Sequence, residues 1–307
     1  MSDFSRVVSA DGTRLAVYQD GHPSNPTVVA IHGFPDNHTV WDGVAELLAG
    51  RYHVVRYDVR GAGESDKPAG RRAYRMDRLS EDLAAVIDAT SPDAPVHLLA
   101  HDWGSIQTWG SVTAPHMQRR LASFISISGP SIDHAGIWIR RIHQHPVAVL
   151  RQLIESYYIL LFQLPRVPEA LLSSRAGERL LDRAAAIGSV SAPSMDPVVR
   201  STADRLNGIN LYRANFPQRL LRPRPGRTDL PVLVLTPERD IFATPAVQTQ
   251  APAPYVPNLQ TRSVAGGHWV VSDQPQLIAG FAMEFFASVQ RDIAAPHADA
   301  APRRSAR

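Results

Sequence analysis

The chain has 307 residues, 44% of them hydrophobic, with no cysteine and a formal charge of +3. That length can bury a sizeable core in one large domain or two small ones, and the missing cysteines exclude disulfide frameworks, thiolate metal sites and a cysteine nucleophile. Lys67 is the only lysine among the basic residues, no basic block is interleaved with aromatics as a nucleic-acid surface requires, and no run approaches the roughly 18 apolar residues of a membrane span.

Around Arg6 to Ser9 and Arg14 to Gln19 two amphipathic segments flank Asp11-Gly12, which predicts an antiparallel hairpin. Thr27-Val28-Val29-Ala30-Ile31 reads as a buried strand that empties into His32-Gly33-Phe34-Pro35-Asp36. Val40, Trp41, Val44, Leu47 and Leu48 then recur at helical spacing, and His53 to Asp58 forms a further strand ending at a loop with Gly61 and Gly63. Leu79, Leu83, Val86 and Ile87 mark one helix face; Val96 to His101 and Phe124 to Ser128 mark two more strands. Strand and helix alternate, so a parallel sheet covered on both faces is expected.

From Ser131 to Arg222 strand-like runs vanish and amphipathic helical patterns separated by prolines replace them, as in an inserted helical cap. Sheet character returns at Pro231 to Leu235 and weakly at Gln260 to Val264. A last helix carries Leu277, Ile278, Phe281, Phe285 and Val289 on one stripe. The expected divisions are 1–130 and 223–291 for the core, 131–222 for the cap, and 292–307 for a disordered Ala-, Pro- and Arg-rich tail. No internal repeat is visible.

Functional groups of open α/β sheets gather at the carboxyl ends of the strands. One strand there delivers Asp102 within Ala100-His101-Asp102-Trp103-Gly104, the small-x-nucleophile-x-small pattern of a nucleophile elbow with aspartate in place of serine. The strand from Pro231 delivers Glu238-Arg239-Asp240, and the late strand is followed by Gly266-Gly267-His268-Trp269. Nucleophile, acid and histidine thus follow in the chain order of the α/β-hydrolases. Each has a plainer reading. Asp102 suits a helix N-cap; Asp240 suits a turn, with Glu238 a competing acid; His268 suits an ordinary loop. His32 reads as a structural loop residue, and His143 with His145 as solvent-facing rather than half of a metal site. Gly61 and Gly63 do not complete a dinucleotide fingerprint, because its third glycine falls on Asp66. Arg219, Arg222, Arg224 and Arg227 read as a solvated linker.

On these motifs the chain resembles the α/β-hydrolase superfamily from about Phe4 to Gln290, and within it the epoxide hydrolases and their haloalkane dehalogenase relatives. His32-Gly33-Phe34-Pro35 resembles the oxyanion loop, which implies backbone N–H donors at Phe34 and Trp103 and a cis Phe34-Pro35 bond. Asp58 to Ser65 resembles the family's Asp-x-Arg-Gly-x-Gly-x-Ser loop. Tyr158, four residues before Phe162-Gln163, resembles the first cap tyrosine of epoxide hydrolases, with Tyr157 the fallback; Tyr212, before Arg213, resembles the second. The plainer reading makes Tyr158 part of an apolar stripe with Leu150, Ile154 and Leu161, and Tyr212 part of one with Leu206 and Ile209. Dehalogenases commonly carry asparagine where Phe34 stands.

The carboxylate has a chemical reason. Serine attacking an epoxide at saturated carbon would leave an ether, which no histidine can hydrolyse, whereas aspartate leaves an ester and is ionised unaided at neutral pH. The resemblance therefore implies an epoxide hydrolase: Asp102 opens the ring, Tyr158 and Tyr212 donate to the oxirane oxygen, and His268 oriented by Asp240 drives water onto the ester. The alternatives are a haloalkane dehalogenase and a non-catalytic ligand-binding relative. No cofactor and no metal is expected, the partner being a small-molecule epoxide. The polar start, Met1 to Ser5, lacks the apolar stretch of a signal peptide, so a cytoplasmic location is expected. A homodimer is compatible with the sequence. Relatives of this kind are sometimes fused to a short-chain dehydrogenase, and none is expected in the residues after Arg291.

Overall fold

The computed structural model describes residues 4–189 and 200–294. Among them, β1 (Ser5–Val8), β2 (Arg14–Asp20), β3 (Thr27–Ile31), β4 (His53–Tyr57), β5 (Val96–His101), β6 (Leu121–Ile127), β7 (Val232–Pro237) and β8 (Leu259–Val264) form one sheet. Its order is β1-β2-β4-β3-β5-β6-β7-β8. The hairpin β1-β2 is antiparallel and β2 meets β4 antiparallel; every pairing from β4 across to β8 is parallel.

Side chains alternate along each strand, so β3 feeds two layers at once. Val28 and Ala30 face one layer with Trp41 and Phe286; Val29 and Ile31 face the other with Leu83 and Val86. The helices that close these layers begin with α1 (Asp42–Leu48), α2 (Met76–Thr90), α3 (Trp103–Val112) and α4 (Pro115–Gln118). Between β6 and β7 the described residues form six helices: α5 (Ile132–Arg140), α6 (Pro146–Glu155), α7 (Tyr157–Gln163), α8 (Val167–Leu172), α9 (Arg175–Ala186) and α10 (Thr202–Leu221). After β7 come α11 (Pro245–Gln250), α12 (Val270–Asp273) and α13 (Pro275–Ala294).

Helix α13 ends at Ala294, so residues 292–294, expected to start a disordered tail, are helical. Ala294 is a good helix former and no proline interrupts the chain before Pro296, so the helix continues past Arg291. The rest of that predicted tail lies outside the described residues.

A third apolar cluster joins the strand ends to α5 and α7–α10. Phe34, Trp103 and Ile106 from the sheet side pack with Ile132, Phe162, Ile209 and Tyr212 from the helical side. Helix α10 starts with a capping box, Ser201 and Asp204 bonding each other's backbone N–H, and Asp204 also accepts from the Gly63 N–H at 3.0 Å. Among the described residues no helix is long and apolar enough to cross a membrane.

Candidate active site

Asp102 stands between the last residue of β5 and the first of α3, with φ 50° and ψ −123°. A left-handed backbone at a residue with a Cβ is strained, and surrounding residues must hold it in place. They do so by close approach: a Cβ on Gly104 would collide with the Ile31 carbonyl, and one on Gly33 would collide with the Asp102 carboxylate. The small flanking residues therefore let β5 turn into α3 hard against β3. Asp102 is 7% exposed, and its Oδ2 accepts the Phe34 N–H at 2.7 Å. The Phe34-Pro35 bond is cis, as the resemblance implied.

His268, in the loop after β8, points its two ring nitrogens at two carboxylates. Nδ1 lies 3.0 Å from Asp240 Oδ1 and Nε2 lies 3.5 Å from Asp102 Oδ1. Asp240 Oδ1 also accepts the Phe242 and Ala243 N–H groups at 2.9 and 3.1 Å. Burial works against charge on both groups, but their pairing outweighs it. Asp240 is held below the usual carboxylate range by His268 and the two N–H donors. The His268 imidazole, pushed down by burial and lifted by Asp240 and Asp102, is raised to about 10. Glu238 is exposed and instead accepts from Ser263 Oγ at 3.0 Å, away from His268.

Tyr158 from α7 and Tyr212 from α10 meet edge to face, with ring centroids 5.9 Å apart. Tyr212 also stands 4.9 Å from the Trp103 ring. Both phenols are raised above the ordinary tyrosine range. For Tyr158 the causes are burial, then the charges of Asp102 and Asp240; for Tyr212 they are burial, then Tyr158 and Asp102. Tyr157, by contrast, is 68% exposed. The stripe that would make Tyr158 mere packing does not continue from α6, because the helix ends at Glu155 and restarts at Tyr157, leaving Leu150 and Ile154 outside.

Two apolar cavities open at Asp102. The larger, about 480 Å³, is lined by Phe34, Phe162, Leu181, Tyr212, His268 and Trp269; the smaller, about 190 Å³, by Ile106, Ile132, Ile139, Ile159 and Phe216. Asp102, Tyr158 and Phe242 belong to both walls.

The model of the alpha/beta hydrolase fold family matches residues 26–275. The chain belongs to that family. It is 37% identical over 296 residues to the probable oxidoreductase EphD of Mycobacterium tuberculosis, covering 92% of this chain and 49% of that one, so it spans about half of that relative's length. It is 29% identical over 279 residues to Epoxide hydrolase 3 of Mus musculus, covering 88% and 72% respectively. The crystal structure of Bacillus megaterium epoxide hydrolase in complex with an inhibitor superposes with a TM-score of 0.74 at 22% identity, over 93% of this chain and all of that one.

Other residues of this chain hold the site without a sequence motif to announce them. His101 is fully buried, its Nε2 2.9 Å from the His268 carbonyl. A carbonyl only accepts, and burial and the neighbouring His268 push the His101 ring down, so its single proton sits on Nε2. Gln152 of α6 donates to the Phe242 carbonyl and accepts from Thr244, tying α6 to the loop that carries Asp240. Asp36 accepts from Trp269 Nε1 at 2.8 Å and Arg200 Nε at 2.7 Å, joining the loops of Phe34 and His268 to the chain before α10.

Several other residues singled out in the sequence have ordinary partners, and His143 is exposed. His32 Nε2 accepts the Val59 N–H, and the His145 ring stacks on Trp138. Gly63 is filled by its own chain, since the Asp58 carboxylate lies against it and its N–H goes to Asp204. A phosphate there would meet two carboxylates. Arg219 pairs with Asp133.

Proposed function

We propose that the chain hydrolyses an epoxide to a vicinal diol through an ester on Asp102, using no cofactor. The observation that carries this reading is the pair of half-buried Tyr158 and buried Tyr212, which line one largely apolar pocket together with the Asp102 carboxylate. An opening epoxide releases an alkoxide, and a phenol is a stronger acid than an aliphatic alcohol even when its pKa is raised. A proton from one tyrosine neutralises the alkoxide as an Asp102 oxygen bonds to ring carbon and the ring C–O bond breaks.

His268 changes role between the two steps. In the resting site the two carboxylates favour imidazolium. Alkylation removes the charge of Asp102, so one of the influences raising His268 disappears; the imidazolium gives its extra proton to the tyrosinate, and the neutral ring is then free to take one from water. That water attacks the ester carbonyl, and the Phe34 and Trp103 N–H groups receive the developing oxyanion. Collapse releases the diol and restores the Asp102 carboxylate. The leaving alkoxide takes the proton of the newly formed carboxyl group and His268 is left as imidazolium, as at the start, so the net reaction adds one water. Asp102, Asp240 and His268 form the catalytic triad in this reading, and residues 131–222 form its cap.

Cavities on both sides of Asp102 suit an epoxide with an apolar substituent on each carbon, the bulkier in the larger cavity. A second reading rests on Trp103, whose indole beside Tyr212 is the N–H donor a departing halide uses; a dehalogenase would share the same core. The enzyme acts in the cytoplasm in this reading. Turnover of a graded epoxide series beside matched bromoalkanes tests it. Diol formation without bromide release is expected, and bromide release without diol formation overturns it.

A further inference from the structure

Large apolar side chains are unevenly spread over the surface. Most of those left substantially exposed among the described residues lie between Ile142 and Ile187. In α6, Val147, Leu150 and Ile154 recur at helical spacing and are 79%, 53% and 72% exposed, while Val149 and Gln152 on the other side are buried. Tyr157 and Leu160 extend this face onto α7. Single exposed apolar residues are ordinary, but a contiguous apolar face marks a surface that something covers.

Two further observations say what covers it. From His134 to Leu160 the chain carries Arg140, Arg141 and Arg151, all exposed, against one acidic residue, Glu155, which pairs with Arg151 at 2.8 Å, so the apolar face is flanked by net positive charge. The face is also continuous with the pocket walls: Ile154 and Tyr157 line the larger cavity, and Leu153 and Leu160 the smaller. At ten residues α6 is far too short to span a bilayer and is suited to lying along its surface.

We propose that the α6–α7 face docks peripherally on an anionic lipid surface. Val147, Leu150 and Ile154 enter the boundary between headgroups and acyl chains, and the arginines meet lipid phosphates. Docking puts the cavity mouths against the phase in which apolar epoxides dissolve, so substrate passes from lipid to pocket without crossing water. This delivery step rests on the epoxide reading; docking does not.

Flotation of the full chain with phosphatidylcholine vesicles, with and without phosphatidylglycerol, tests the docking. Binding to the anionic vesicles that weakens with salt is expected. Val147→Asp with Leu150→Asp, and separately Arg141→Glu, should each lower it by about tenfold or more, with melting temperature and turnover of a water-soluble epoxide unchanged. Absence of binding to either vesicle overturns the proposal, as does binding indifferent to the Val147 and Leu150 substitutions. A concentration-dependent dimer abolished by Leu150→Asp, with vesicles left unbound, overturns it in favour of contact between copies. Vesicle binding with no diol from any soluble epoxide supports the docking and refutes the hydrolase reading alone.

Discussion

Replacing Asp240 by Asn removes a charge from His268 while leaving its hydrogen bond in place. The Phe242 N–H, the Ala243 N–H and His268 Nδ1 all converge on Oδ1, whereas Oδ2 meets only Gln248 Nε2, at 3.4 Å. Three donors hold the oxygen of an asparagine at the Oδ1 position, so the imidazole keeps its proton on Nδ1 and the loss is electrostatic. Unit charges about 4 Å apart at an effective dielectric near 20 interact by about 4 kcal/mol, or about three pKa units. Removing the negative charge lowers the His268 pKa, and ester hydrolysis should slow by at most about a thousandfold. Ester formation needs no base and should continue, so the alkyl-enzyme accumulates. Asp240→Ala also strands the two backbone N–H groups and frees the imidazole to rotate, and should be slower still. Quenched-flow sampling with intact-protein mass spectrometry across the pH range separates the two steps. Undiminished turnover, no accumulated ester, or a hydrolysis profile that fails to move to lower pH would refute the reasoning.

Tyr158→Phe should slow ester formation by about a hundred- to a thousandfold and leave ester hydrolysis unchanged in single-turnover experiments, while Tyr157→Phe changes neither. Arg60 is fully buried, bonded to Asp82 at 2.5 and 2.6 Å and to Asp11 at 2.8 Å. Arg60→Ala strands Asp82 and should cost about 3–5 kcal/mol, read from the denaturant midpoint. The His268 pKa is raised in the fold above its ordinary value of 6.5, so its pairing contributes in full below about pH 6.5 and is lost as pH rises through about 10. The melting-temperature advantage of the native chain over Asp240→Asn should therefore shrink from neutral to alkaline pH; an advantage that grows contradicts the pairing.

Strands such as Val28 to Ile31 are legible in the sequence because both their faces are covered, which makes the apolar run continuous. The placing of β4 outside β3, and of β2 antiparallel beside β4, is not legible, since it depends on crossovers rather than local pattern. Asp102, Asp240 and His268 stand out because strand ends and small flanking residues leave a local signature. His101, Gln152 and Asp36 leave none: their partners lie at remote positions, and several are backbone carbonyls or N–H groups that any residue could supply. Leu150 and Ile154 show a further limit, for an apolar stripe has the same spacing whether it faces a core or the outside.

The central claim is that Asp102 becomes covalently bonded to substrate and that water then attacks its carbonyl carbon. A single turnover in water carrying heavy oxygen, with enzyme in excess, tests this directly. We predict that the label enters the carboxylate of the peptide containing Asp102 and that the first diol is unlabelled, its new oxygen having come from the enzyme. Heavy oxygen in the first diol, with none on Asp102, would mean that water attacks the epoxide itself and would contradict the ester mechanism.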